Sequence, residues 1–395
     1  MKLSTGALYI LDTLESAGYR ADVVGGPVRD FMLGKEPSDY DITTSALPEE
    51  VKAVFAEHKT VDTGIRHGTV TVIVDSEPYE ITTYRTDGEY KDSRHPESVS
   101  FTSDITEDLA RRDFTVNAMA YSPRYGITDP FEGREDLTLR TIRAVGEPSV
   151  RFGEDALRIL RAVRFSSVLG FEIEPATADA LRSLSHLLTN ISAERIYTEW
   201  TKLLTGESAY SVIRDFSDVI SVIIPELSSL TLPRPEHFLA AEPFIRHLAL
   251  FALSSHSPSD AWDSAMRRLR APTAYRESGI AVLSHLDGAT VDSLSDAGRL
   301  LHVLGAERTR MLVSLKILLG DFNVRQSLTV EDYISRGMPY SISDLSVRGD
   351  DMLRLGVRGR EIGEMLERML ISVIDGELEN TREALTDYAR ALISK

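Results

Sequence analysis

The chain has 395 residues, with 44 Lys and Arg against 61 Asp and Glu, a net charge of −17 and no cysteine. A chain this acidic is not a general nucleic-acid coat, because non-specific binding neutralises many phosphates, although net charge leaves room for a local basic cleft. Without cysteine there is no disulfide framework, thiolate nucleophile or Cys-ligated zinc, which fits a reducing compartment.

Residues 5–17 read as an amphipathic helix, in which Asp12 and Glu15 interrupt any apolar leader, so a cytoplasmic protein without a membrane segment is expected. A short strand follows at 21–24, broken by Gly25-Gly26, with Pro27 at a helix start and Gly34 at its stop. Residues 38–43 read as a second strand and 48–57 as a helix. Residues 69–74 alternate at period two, turn through Asp75-Ser76-Glu77-Pro78, and return at 79–85 as a hairpin partner. The polar stretch 86–98 predicts a mobile loop, and 127–131 a last strand. From residue 140 helical periodicity takes over, through 155–169 and 176–188 and on to Ile393, with a break at Leu232-Pro233-Arg234-Pro235. The expected fold class is α+β in front and all-α behind.

Four segments carry chemistry. In Asp39-Tyr40-Asp41, residues i and i+2 of a strand share a face, so two carboxylates project together and repel unless a cation joins them. Mg²⁺, a hard ion that takes oxygen ligands, is the natural partner; a solvated pair in a loop is the plainer alternative. Gly25-Gly26-Pro27-Val28-Arg29-Asp30 is a strand–glycine–helix transition, where backbone N–H groups approach phosphate and Arg29 holds it, or else a tight turn with no ligand. Glu80 is a third carboxylate if its strand abuts the Asp pair.

Arg111-Arg112-Asp113-Phe114-Thr115-Val116-Asn117 suits a polar cleft, with Arg112 matched to phosphate and Asn117 to a ribose hydroxyl, or a helix start with an ion pair. In Glu154-Asp155-Ala156-Leu157-Arg158, Asp155 and Arg158 are spaced as neighbours on one helix face, with Arg161 and Arg164 following. Residues 140–164 hold six Arg against three acids, a reversal of the overall charge that suits a polyanion.

Taken in order with Asp129-Pro130-Phe131-Glu132-Gly133, these motifs resemble the bacterial-type (class II) tRNA nucleotidyltransferases and their poly(A) polymerase relatives over residues 20–200. The resemblance implies a nucleotidyltransferase-type mixed-sheet head at 1–139, a helical neck at 140–205 that reads the nucleobase, and a helical body and tail at 206–395 that hold tRNA. It implies catalytic Asp39, Asp41 and Glu80, with Asp39 and Asp41 binding two Mg²⁺ ions. The triphosphate would lie on Gly25, Gly26 and Arg29, with Arg112, Asp113 and Asn117 on phosphate or sugar, and Asp155, Arg158, Arg161 and Arg164 towards the nucleotide.

A carboxylate beside a guanidinium pairs with the amino group and ring nitrogen of C and of A, and fails against U and G. Such a protein template suits addition of C, C and A from CTP and ATP to tRNA. The loop 87–98 has the length that favours complete CCA addition over the CC-adding branch. Arg348, Arg358 and Arg360 are candidate RNA contacts, or else solvated side chains at helix ends. No His-Asp dipeptide occurs, so no phosphohydrolase is expected, nor is an obligate protein partner. The rivals are poly(A) polymerase, a CC- or A-adding enzyme, an Asp-X-Asp nucleotide-sugar glycosyltransferase, which leaves the basic strip unexplained, and a non-catalytic RNA-binding module.

Overall fold

Ser4 opens the first helix: its hydroxyl accepts the Ala7 N–H at 3.1 Å, satisfying a donor that every helix start leaves free. Helix α1 (Thr5–Ser16) then buries Ala7, Ile10, Leu11 and Leu14, one stripe at helical spacing. Strand β1 (Ala21–Val24) is buried throughout and passes through Gly25 into α2 (Gly26–Met32). In this computed structural model residues 1–37, 39–88 and 99–394 are described. The chain divides into two compact units, Met1–Pro225 and Glu226–Lys395.

Unit one continues with β2 (Ile42–Thr44), α3 (Pro48–Val54), β3 (Lys59–Gly64), β4 (Thr69–Val74) and β5 (Glu77–Thr83). Val70, Val72 and Val74 are the buried half of β4's alternation. Asp75 and Ser76, at φ 50° and 70°, make the two-residue turn that suits the twist of a hairpin, so β5 starts at Glu77 and not at Tyr79. Next come β6 (Arg85–Asp87), β7 (Val99–Phe101), α4 (Ile105–Ala110), a 3₁₀ turn at Thr115–Asn117, β8 (Ala120–Ser122), β9 (Gly126–Thr128) and α5 (Gly133–Leu139). The sheet has the order β3-β4-β5-β2-β1-β8-β9. Only β2 and β5 run parallel in it, so it is mixed as expected.

Several expectations need correction. Strand β2 is shorter and later than 38–43, so Asp39 and Asp41 lie in the segment leading into it. The expected strand 127–131 is β9, ending at Thr128 because Asp129 turns away to cap α5, accepting the N–H groups of Gly133 at 2.7 Å and Arg134 at 2.9 Å. Residues 86 and 87 belong to β6, paired with β7, while 89–98 lie outside the described residues, and with them most of the loop read as favouring complete CCA addition.

Beyond α5, β10 (Thr141–Ile142) pairs in parallel with β11 (Glu172–Ile173), a small sheet inside the stretch expected to be all helix. Around it stand α6 (Pro148–Glu154), α7 (Leu157–Leu169), α8 (Pro175–Ser183), α9 (Ala193–Leu203), α10 (Ala209–Asp215) and α11 (Ser217–Ile223).

Unit two is helical: α12 (Pro235–Ala240), α13 (Pro243–Ser254), α14 (Pro258–Arg268), α15 (Thr273–Ser284), α16 (Leu294–Leu319), α17 (Val324–Ser335), α18 (Gly349–Arg354), α19 (Arg360–Ile374) and α20 (Arg382–Ile393). Part of its core is aromatic, with the His247 ring 4.6 Å from Trp262 and 5.5 Å from Phe251. Among the described residues no helix is long and apolar enough to cross a membrane.

Candidate active site

The Val24 N–H donates to the Asp41 carbonyl at 2.9 Å, which pins Asp41 at the end of β1, beside Gly25. Across β2 the parallel register pairs Ile42 with Ile81, so one step back it sets Glu80 level with Asp41. Asp39, Asp41 and Glu80 accordingly line one cavity of about 710 Å³, together with Tyr40, Thr71 and Tyr79. Burial, then the charges of Asp39 and Glu80, push the Asp41 carboxyl above its ordinary range, against the pull of Arg112.

The three carboxylates are therefore brought together although the strand was misplaced. Their chemistry fits a hard divalent cation: oxygen donors only, and like charges that a cation relieves. Among the described residues no group of three or more His, Cys, Asp or Glu side chains is arranged to hold a metal ion by itself.

The other flank of Asp41 is cationic. Gly25 has a φ of 76°, a conformation L side chains rarely adopt, and a Cβ there would stand 2.9 Å from Arg112 Nη1. Arg112 is largely buried; its Nη2 lies 3.5 Å from Asp108 Oδ2, and its Nε has no hydrogen-bond partner among the described residues. Burial and then neighbouring Arg111 lower its pKa, while Asp108 and Asp41 oppose them.

Arg29 Nη1 donates to Asn117 Oδ1 at 2.6 Å, and Asn117 Nδ2 to Asp113 Oδ1 at 3.2 Å. Arg161 Nη2 lies 2.6 Å from Asp113 Oδ2. Burial alone would raise the Asp113 carboxyl, but Arg161, Asn117 and the Phe114 N–H bring it down to about 2. Arg164 Nε lies 2.5 Å from Glu199 Oε2, a charge contact without hydrogen-bond alignment. One phenyl ring joins three of these cations: the guanidinium carbons of Arg29, Arg161 and Arg164 lie 5.2, 5.2 and 3.8 Å from the Phe165 centroid.

Asp155 and Arg158 do not share a helix face as their spacing predicted. The helix breaks at Asp155, which has an extended backbone and, through Oδ1, accepts the Leu157 N–H at 3.0 Å to start α7. Its Oδ2 takes Arg195 Nη2 at 2.8 Å. Arg158 instead donates to Glu154 at 2.7 Å and to the Arg111 carbonyl at 2.9 Å. Nor is the basic strip a free surface, since Arg143, Arg151, Arg158, Arg161 and Arg164 all have carboxylate partners.

Sequence reasoning missed Asp108, Arg195 and Glu199. A signal for the last existed: Ile196, Glu199, Trp200 and Leu203 are the buried stripe of α9, and a carboxylate there demands a buried cation. Arg348, Arg358 and Arg360 lie exposed in unit two, and Arg348 donates to its own turn's Leu345 carbonyl at 2.6 Å.

Residues 21–143 match the family model described as the poly A polymerase head domain, and residues 170–230 a probable RNA and SrmB-binding site of polymerase A. The CCA-adding enzyme of Lactobacillus delbrueckii subsp. bulgaricus is 37% identical over 395 residues, covering 97% of this chain and 97% of its own. The chain belongs to the CCA-adding enzyme family. Another CCA-adding enzyme, from Enterococcus faecalis, is 34% identical across 100% of this chain and 99% of its own. The Bacillus stearothermophilus CCA-adding enzyme in complex with CTP superposes with a TM-score of 0.77 at 32% identity, covering 98% of this chain and 97% of that one.

Proposed function

We propose that the chain is a CCA-adding tRNA nucleotidyltransferase, extending the tRNA 3′ end by C, C and A from CTP and ATP. The observation that carries this reading is the position of Asp41, with Arg112 on one flank and Asp39 and Glu80 on the other. In each step the RNA 3′-oxygen bonds to the α-phosphorus, the bond to the β-phosphate bridge breaks, and pyrophosphate leaves. Asp39 and Asp41 would hold Mg²⁺, with Glu80 as a third carboxylate. A divalent ion supplies charge neutralisation of the triphosphate and a lower pKa for the attacking hydroxyl.

Arg29, Arg112, Arg161 and Arg164 supply donors for phosphate, and Asp113 and Asn117 hold Arg29 and Arg161 in place. Asp155 and Arg158 read the base: each Asp155 oxygen keeps a lone pair beyond its present partner. Residues 1–139 act as the catalytic head, 140–205 as the neck and 206–395 as the tRNA-holding body and tail, with Arg348, Arg358 and Arg360 among its RNA contacts. The absence of cysteine suits work in the cytoplasm.

The test supplies purified protein and Mg²⁺ with tRNA lacking its last three nucleotides, and resolves products to single nucleotides. Two additions with CTP alone, and a third once ATP is present, are expected. Long ATP tails, or no extension, would overturn the reading.

A further inference from the structure

Asp108 is a fully buried carboxylate on α4, whose other buried residues, Ile105 and Leu109, are apolar. A charge in such a place needs partners, and its two oxygens find different ones. Oδ1 accepts Arg111 Nε at 3.0 Å, Arg111 Nη2 at 2.8 Å and the Arg85 N–H at 3.3 Å. Oδ2 faces Arg112 Nη2 at 3.5 Å and has no hydrogen-bond partner among the described residues. Asp108 therefore holds Arg112 by charge and not by an aligned hydrogen bond. With no exposed surface, it acts on a substrate only through the arginines it holds.

A second anion competes for the same guanidinium. Asp41 also attracts Arg112, less strongly than Asp108 does, yet the ion pair that Arg112 forms is with Asp108. An arginine drawn onto Asp41 would stand in for a divalent cation there, since either neutralises that carboxylate. Arg112, with Nη1 against the Gly25 backbone, thus lies between two carboxylates, one of them the proposed metal ligand.

We propose that Asp108 is a positioning residue for nucleotidyl transfer: it draws Arg112 away from Asp41, which leaves Asp41 to the divalent ion and Arg112 to the triphosphate. The inference rests on the proposed function of the Asp41 site. Arg111 completes the arrangement, because it occupies Oδ1 and leaves Oδ2 to Arg112.

The test titrates the full chain, without nucleotide, with Mn²⁺ in place of Mg²⁺ and measures free ion by its EPR signal. Asp108→Asn weakens Mn²⁺ binding by about 10-fold in the native background, where Arg112 is released to Asp41. In Arg112→Gln, where no guanidinium is left to move, the same change weakens it by less than about twofold. Equal weakening in both backgrounds, the mark of a charge acting at a distance, would overturn the inference, as would no weakening in the native one. If a thermal melt shows that Asp108→Asn does not fold, Arg112→Gln alone decides. Mn²⁺ affinity within about threefold of native shows that Arg112 already stands clear of Asp41, and a larger tightening overturns the inference. If the native chain extends no RNA at all, the proposed function falls instead.

Discussion

Arg195 Nη2 donates to Asp155 Oδ2 at 2.8 Å, so this carboxylate is oriented from α9, 40 residues further along the chain. Arg158, three residues away, is fixed separately through Glu154 and the Arg111 carbonyl. The base choice proposed for the two side chains requires each to be held before the nucleotide arrives, because a polar group that shifts to suit the wrong base discriminates little.

Arg195→Ala removes one of the two donors that hold Asp155. The kcat/KM for CTP and for ATP should fall by roughly 10- to 100-fold, in line with about 1–3 kcal/mol for a lost buried charge-assisted bond, and UTP incorporation should rise relative to CTP. Single-nucleotide extension with each triphosphate measures both. Arg195→Lys, a point charge without the planar fork, should recover only part of the loss. Selectivity equal to the native chain's would show that Asp155 needs no such support.

Gly25 and Gly26 are adjacent yet should respond differently to a methyl group. Gly25→Ala forces φ 76° on an L residue and sets Cβ 2.9 Å from Arg112 Nη1, whereas at Gly26 the nearest atom is Arg29 Nη2 at 3.7 Å. Backbone strain of about 1–3 kcal/mol, with displacement of the guanidinium proposed to hold phosphate, should cut kcat/KM by about 100-fold in Gly25→Ala. Gly26→Ala should stay within about fivefold. Steady-state kinetics and thermal melts on both variants separate the two effects.

Asp113 makes the site acid-sensitive. Its carboxyl sits at about 2 in the folded chain, below the free value of about 3.9, so its contribution is present above about pH 4 and vanishes as pH falls through about 2. Asp113→Asn should destabilise the protein by roughly 2 kcal/mol at pH 7, with a smaller difference at pH 3. Urea unfolding at the two pH values gives the comparison.

His247 acts in a higher window. It is fully buried, and burial lowers its pKa to about 3, while Nδ1 lies 2.9 Å from the Tyr275 hydroxyl. Below about pH 6.5 the unfolded chain takes up a proton that the native one refuses, so stability falls as pH drops from about 6.5 towards 3. Between pH 7.5 and 5 the loss should be roughly 2 kcal/mol, and His247→Phe should flatten it. Trp262, 4.6 Å from the imidazole, reports unfolding of this cluster by fluorescence.

The groups legible in the sequence were those whose signal is contiguous. Gly25-Gly26, Asp39-Tyr40-Asp41 and Arg111 to Asn117 each present their chemistry within a few residues, and the chain folds them into one region. Strand β3 escaped because Lys59-Thr60-Val61-Asp62-Thr63-Gly64 is an edge with one large apolar residue, and Val61 is itself 37% exposed. Strand β8, three residues long, is too short to show a period.

Long-range pairs left no local trace. Asp113 and Arg161 are 48 positions apart, and nothing near either residue names the other. Asp155 and Arg158 misled for the opposite reason: their spacing is that of a helical pair, but an aspartate is also a strong helix starter, and the capping role won.

The ring of Phe165 and its three guanidinium neighbours give the proposed triphosphate side an uncommon permanence. Every cation named there is an arginine, a group that holds its proton across the physiological range and offers no primary amine to acylating reagents. Lysine acetylation therefore has no purchase on these charges, and neither has a swing in intracellular pH.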